Sequence, residues 1–88
     1  GSLYSATKFA TTAIGEALRQ ELRSRDDGKN IKVTLIEPGM VDTDFFENRP
    51  GESALKDEDI ARTIQFALDQ PEGVDLNEIL IRPISQAT

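Results

Sequence analysis

The chain of 88 residues contains neither cysteine nor histidine. Without cysteine there is no disulfide framework and no thiolate chemistry. Without histidine the commonest general base and the commonest imidazole metal ligand are both missing, so no metal site is expected. No apolar run approaches the length of a membrane span, and nothing reads as a signal peptide. Basic excess is lacking too. The net charge is −6 and the charges are interspersed, which suits solvated helix faces and disfavours nucleic acid or an anionic membrane as partner. A soluble, cytoplasmic protein is the expectation that remains. At this length the chain supports at most one small domain, and small domains bury a lower fraction of their surface than large ones.

What is present is a regular alternation of elements. From residue 5 to 25 the apolar residues Phe9, Ala10, Ala13, Ile14, Ala17, Leu18 and Leu22 recur at helical spacing. Ala6, Ala10, Ala13, Gly15 and Ala17 carry so little bulk that another helix or a cofactor could approach closely. Gly15 costs a helix about 1 kcal/mol against alanine, so a packing reason for it is expected. Glu16 and Gln20, and Glu21 and Arg25, are four apart, the second pair being placed for an ion pair. Residues 26–30 read as a stop and turn, with Gly28 suited to positive φ.

Residues 31–37 are short, β-branched and nearly continuously apolar, as in a strand buried on both faces. Pro38 cannot donate to a ladder and ends it. Residues 41–56 show no period and carry Phe45 and Phe46 in mid-segment; such loops are often functional. Asp57, Glu58 and Asp59 favour a helix start, Ile60, Ala61, Ile64, Ala67 and Leu68 mark its face, and Pro71 follows its end. Residues 72–75 form a turn, and 78–82 a second strand stopped by Pro83. Strand, helix and strand with a crossover this long imply a parallel β-α-β unit.

Two places could carry chemistry. Tyr4 and Lys8 are one helical turn apart. A tyrosine hydroxyl ordinarily titrates near 10, and a neighbouring ammonium favours the phenolate, which brings proton exchange with an alcohol or carbonyl closer to neutral pH. Spacing alone favours a core-facing tyrosine beside a solvated lysine. The second place is the strand exit at Pro38-Gly39, since ligands of open α/β sheets bind outside the carboxyl ends of strands and glycine lets them come close. Thr43 adds a hydroxyl that could meet a phosphate. An ordinary Pro-Gly turn, and core plugs at Phe45 and Phe46, are the plainer readings of the same residues.

Taken in order, three segments resemble the short-chain dehydrogenase/reductase family. Tyr4-Ser5-Ala6-Thr7-Lys8-Phe9-Ala10 is similar to its active-site segment, and Ile36-Glu37-Pro38-Gly39-Met40-Val41-Asp42-Thr43 to its Pro-Gly coenzyme segment. Asn77-Glu78-Ile79-Leu80-Ile81-Arg82-Pro83 is similar to its closing strand, above all in NADP-preferring members of broad specificity. The resemblance implies an α/β fold, the C-terminal part of a Rossmann-type doubly wound parallel sheet, with residues 1–88 an incomplete piece of a single NAD(P)-binding domain. It implies Tyr4 as proton donor or acceptor, and Lys8 as ligand of the nicotinamide ribose and promoter of the Tyr4 phenolate. Backbone at Pro38, Gly39 and Val41 would hold the nicotinamide, Thr43 the pyrophosphate, and residues 44–56, with Phe45 and Phe46, would form the substrate loop. The parent would transfer hydride between NADP(H), or NAD(H), and a small alcohol or carbonyl compound, and would form a homo-oligomer through the Tyr4-bearing helix.

The family's glycine-rich phosphate loop, coenzyme-selecting residue, Asn-Ala-Gly segment and catalytic serine have no counterpart in these 88 residues, and Ser2 lies too close to Tyr4 to be that serine. By itself the chain is therefore expected to be inactive, to bind no coenzyme, and to self-associate or remain partly disordered. The alternative from another class is a non-catalytic α/β interaction module that reuses the family's dimerisation helix.

Overall fold

The computed structural model describes residues 2–39 and 54–87. Their order is helix α1 (Ser2–Arg23), strand β1 (Leu35–Pro38), helix α2 (Asp57–Leu68) and strand β2 (Glu78–Ile81). β1 and β2 pair in parallel, with Leu35 opposite Glu78 and Pro38 opposite Ile81. This is the expected β-α-β unit, with α2 inside the crossover.

α1 is held by local polar contacts. Thr7 and Thr11 donate their hydroxyls back to the carbonyls of Leu3 and Thr7, each at 2.9 Å. Glu16 accepts from Arg19 through both carboxylate oxygens and from the Gln20 amide at 3.1 Å. These bonds, led by the one from Arg19, lower the Glu16 carboxyl to about 2. The helix stops at Arg23, two residues before the expected end. Arg25 therefore lies beyond the helix and pairs with Asp27, at 2.9 Å through two nitrogens, where Glu21 had been the expected partner.

Gly28 corrects a second expectation. Its φ lies outside the left-handed range, so chirality does not demand glycine there. Space does: an added Cβ would stand 2.8 Å from Leu22 Cδ2 and 3.0 Å from the Leu22 carbonyl oxygen. Gly15 is the opposite case. A methyl group there would meet only Leu35 Cδ2, at an ordinary 3.9 Å, so the expected packing reason is not found among the described residues.

The strand expected over residues 31–37 begins only at Leu35. Residues 31–34 run alongside the β2 approach, yet side chains replace the ladder. The Val33 N–H donates to Asp75 Oδ1 at 3.0 Å, and the Val33 carbonyl accepts from Asn77 Nδ2 at 3.0 Å. Arg23 reaches over from α1 to the Ile31 carbonyl at 2.8 Å and to Asp75 Oδ2 at 2.5 Å. Backbone pairing resumes where the Leu35 N–H meets the Asn77 carbonyl at 3.0 Å. At the other end Pro38 is the last strand residue, not the first beyond it, and β2 likewise closes at Ile81.

α2 carries Asp57, Glu58 and Asp59 in its first turn, where unpaired N–H groups favour negative charge. The Lys56 N–H donates to Asp59 Oδ2 at 2.8 Å, and this bond leads the lowering of the Asp59 carboxyl, reinforced by Arg62. Beyond its far end, the Lys32 ammonium donates to the carbonyls of Gln70 (3.3 Å) and Pro71 (2.7 Å). Among the described residues no helix is long and apolar enough to cross a membrane.

Strands alternate their faces. Leu35 and Glu37 of β1 face α1, as their contacts with Gly15 and Thr12 show, and Thr34 and Ile36 line a cavity with Ile64, Ala67 and Leu68 of α2. Burial is slight. Among the described residues Ala54, Leu55 and Pro83 carry the buried apolar side chains, none of them sealed completely, and neither helix has a buried residue. The half-buried positions of α1 (Lys8, Thr12, Gly15, Arg19, Leu22 and Arg23) form its sheet-facing side. The alanine-lined side opposite, flanked by Leu3, Phe9, Ile14 and Leu18, is exposed.

Candidate functional site

At about 100° per residue, Tyr4 and Lys8 lie about 40° apart around α1 and share one side of it. Tyr4 is 66% exposed. The Lys8 side chain leans toward the sheet, where its Nζ stands 3.7 Å from Glu37 Oε2. Thr12, one turn further along α1, donates its hydroxyl to Glu37 Oε1 at 3.2 Å. The Glu37 side chain is only 12% exposed and is held by two groups of the same helix face.

Glu37 directly precedes Pro38-Gly39, so one carboxylate joins the Tyr-Lys helix to the strand exit. These two places, separate in the chain, thus meet in space through a residue that sequence reasoning passed over as part of an apolar strand. A signal existed: Glu37 is an acidic side chain in a run otherwise suited to burial, where a charge needs a partner.

At the exit, the Gly39 N–H donates to the Ile81 carbonyl at 2.8 Å and continues the ladder one step past β1. That donor is therefore spent, and a ligand at Gly39 meets its carbonyl oxygen or its bare Cα. A side chain there would collide with the Gln86 amide. Val41, Thr43, Phe45 and Phe46 lie outside the described residues.

Glu78 completes the cluster. It sits on β2 two positions from the residue opposite Glu37, on the same sheet face. The Glu37 carboxyl raises it above the ordinary carboxylate value, first through a shared hydrogen bond and then through like charge, while Lys8 acts in the opposite sense. A cavity of about 310 Å³ beside this group is lined by Ser5, Lys8, Phe9, Thr12 and Glu78, without Tyr4. Among the described residues no group of three or more histidine, cysteine, aspartate or glutamate side chains could hold a metal.

This geometry has close relatives. Residues 1–54 match the model of the short chain dehydrogenase family. The dehydrogenase/reductase SDR family member 11 of Mus musculus is 39% identical over 97 aligned positions, covering 97% of this chain and 36% of that protein. The farnesol dehydrogenase of Aedes aegypti is 38% identical over 88 positions, covering 97% and 35%. Among solved structures, a betaketoacyl-[ACP] reductase (FabG) from Bacteroides thetaiotaomicron superposes with a TM-score of 0.76 at 31% identity, covering 96% of this chain and 36% of that one. The serine dehydrogenase of Escherichia coli gives 0.74 at 28% identity, covering 100% and 34%. The chain thus spans little more than a third of the length of the relatives it matches.

Proposed function

The chain belongs to the short-chain dehydrogenase family, and from that premise we propose that it is the C-terminal part of an NAD(P)-dependent oxidoreductase acting on a small alcohol or carbonyl compound. Its fold is accordingly the C-terminal part of a Rossmann-type parallel sheet. The observation that carries the reading is the joining of the Tyr4–Lys8 face to the Pro38-Gly39 exit through Glu37.

The residues present suit a nicotinamide coenzyme. At 3.7 Å the Lys8–Glu37 contact is an ion pair and not a hydrogen bond, so the three ammonium N–H donors stay available for ribose hydroxyls. Gly39 offers a carbonyl and a bare Cα at the strand exit. Pro38, Gly39 and Val41 would hold the nicotinamide end and Thr43 the pyrophosphate, with Phe45 and Phe46 on the substrate side. When bound, the coenzyme supplies a carbon that gives or accepts hydride. Tyr4 handles the proton. In reduction its hydroxyl protonates the carbonyl oxygen as the new C–H bond forms, and in oxidation its phenolate takes the proton from the alcohol. NADP(H) is the first coenzyme to test and NAD(H) the second.

The parent assembles as a homo-oligomer in the cytoplasm through α1, whose outward face presents Leu3, Phe9, Ile14 and Leu18 in an apolar patch of the kind that marks interaction surfaces. Residues 1–88 alone neither bind coenzyme tightly nor turn over, because the family's glycine-rich phosphate loop and catalytic serine have no counterpart among them. Tyr4→Phe in the complete protein tests the reading. Coenzyme-linked turnover of small alcohols and carbonyls should fall by about 10²–10⁴-fold, with coenzyme binding retained. Undiminished turnover would exclude Tyr4 as the proton carrier.

A further inference from the structure

We propose that Glu37 is a positioning residue for Lys8: one carboxylate oxygen, braced by Thr12, orients the group, and the other holds the Lys8 ammonium on the sheet-facing side of α1. The inference rests on the proposed function for its consequence, but not for the contact itself.

The geometry separates the two oxygens. Oε1 accepts the Thr12 hydroxyl at 3.2 Å. Oε2 is buried, accepts no hydrogen bond from any described residue, and has the Lys8 Nζ 3.7 Å away. A buried carboxylate oxygen without a donor costs free energy unless a charge compensates it, and Lys8 is the cation within ion-pair distance. The coupling runs both ways: the oxygen needs the ammonium nearby, and the ammonium is drawn to one place without losing a donor. A lysine side chain has four rotatable bonds and about 2 kcal/mol of rotamer entropy to lose when fixed. Attraction by a carboxylate already braced removes part of that cost before a sugar hydroxyl arrives. Glu78 modulates the arrangement from β2. Its carboxyl, raised by Glu37, holds a proton more readily than an isolated glutamate.

Two measurements on the complete protein test this. The first needs no catalysis: acetylation of Lys8 by an amine reagent, followed by peptide mass spectrometry with Lys29 and Lys32 as internal references. Glu37→Gln should raise the Lys8 rate about threefold, on the scale of one partly exposed ion pair, and leave the references unchanged. Thr12→Val should give a smaller rise in the same direction, and decides the matter if Glu37→Gln does not fold. An unchanged Lys8 rate in both variants overturns the proposal.

The second is a double-mutant cycle read by NADPH binding. Glu37→Gln should weaken binding about three- to tenfold when Lys8 is present and leave it unaltered in a Lys8→Met background. Equal weakening in both backgrounds means that Glu37 acts otherwise than through Lys8, and overturns the proposal. If the wild-type protein binds neither NADPH nor NADH, the proposed function falls, while the acetylation rates still decide whether Glu37 holds Lys8.

Discussion

Two side-chain bridges tie α1 to the strands that follow it, and they are built differently. At the C-terminal end of the helix, Arg23 meets Asp75 at 2.5 Å, and Asp75 also accepts the Val33 N–H while Arg23 reaches the Ile31 carbonyl. Both Asp75 oxygens are engaged by charged or backbone donors. At the N-terminal end, Lys8 stands 3.7 Å from Glu37, one of whose oxygens accepts no hydrogen bond from the described residues. The first bridge has the short, fork-shaped contacts that favour structure. The second leaves donor capacity unused on the face where the chemistry is proposed. A site that must receive a ligand cannot be saturated by its own scaffold.

The difference can be broken first at Asp75. Asp75→Ala leaves a guanidinium and a backbone N–H without their acceptor, and should cost about 2–3 kcal/mol in urea unfolding of the complete protein. Glu37→Gln should cost well under half of that while changing coenzyme binding more than Asp75→Ala does. Equal stability losses would mean that the two bridges are not distinct in kind. Gly28 sharpens the structural end. Because a methyl group there would overlap Leu22 Cδ2 and crowd the Leu22 carbonyl, Gly28→Ala should cost about 1–2 kcal/mol, seen as a lower urea midpoint at unchanged slope. Gly15, midway between the bridges, has room for that methyl group, and Gly15→Ala should stabilise by up to about 1 kcal/mol. A loss at Gly15 would reveal a neighbour outside the described residues.

The smallest effects are those of pH. Glu16 is depressed to about 2 from an ordinary 4.5, so its stabilising contribution is complete above 4.5 and fades as pH falls toward 2. Glu78 is raised; the sign reverses, and its contribution is present below 4.5 and lost as pH rises through its folded-state value. Glu78→Gln should therefore raise Tm at neutral pH and show no gain at pH 4 and below. A Tm gain that persists in acid would place its cause outside the carboxyl pair.

Much of the fold was legible from local patterns. The apolar spacing of residues 9–22, the acidic start at Asp57 and the strand at Glu78 each announced an element, and the long crossover announced parallel pairing. The boundaries were less legible. Residues 31–34 have the composition of a strand, but Asp75 and Asn77 take the hydrogen bonds a ladder would have used. Nor could spacing predict that Arg25 would turn to Asp27, since that depends on where the helix stops. Of the candidate site, Tyr4, Lys8, Pro38 and Gly39 were visible with roles, while Glu37 and Glu78 stood in the family-like segments without one and Thr12 was not singled out. Those three lie on three separate elements and come together only when α1 is laid across the sheet.

Local sequence sets the order and type of the elements, the Tyr4–Lys8 spacing and the Pro-Gly exit, because each depends on backbone propensities and periodicities within a few residues. Packing in three dimensions selects which face of α1 meets the sheet, makes Gly28 serve space and not chirality, and lets Glu37 link the two halves of the site. Those outcomes depend on distances between residues far apart in the chain, which packing sets and local sequence does not encode.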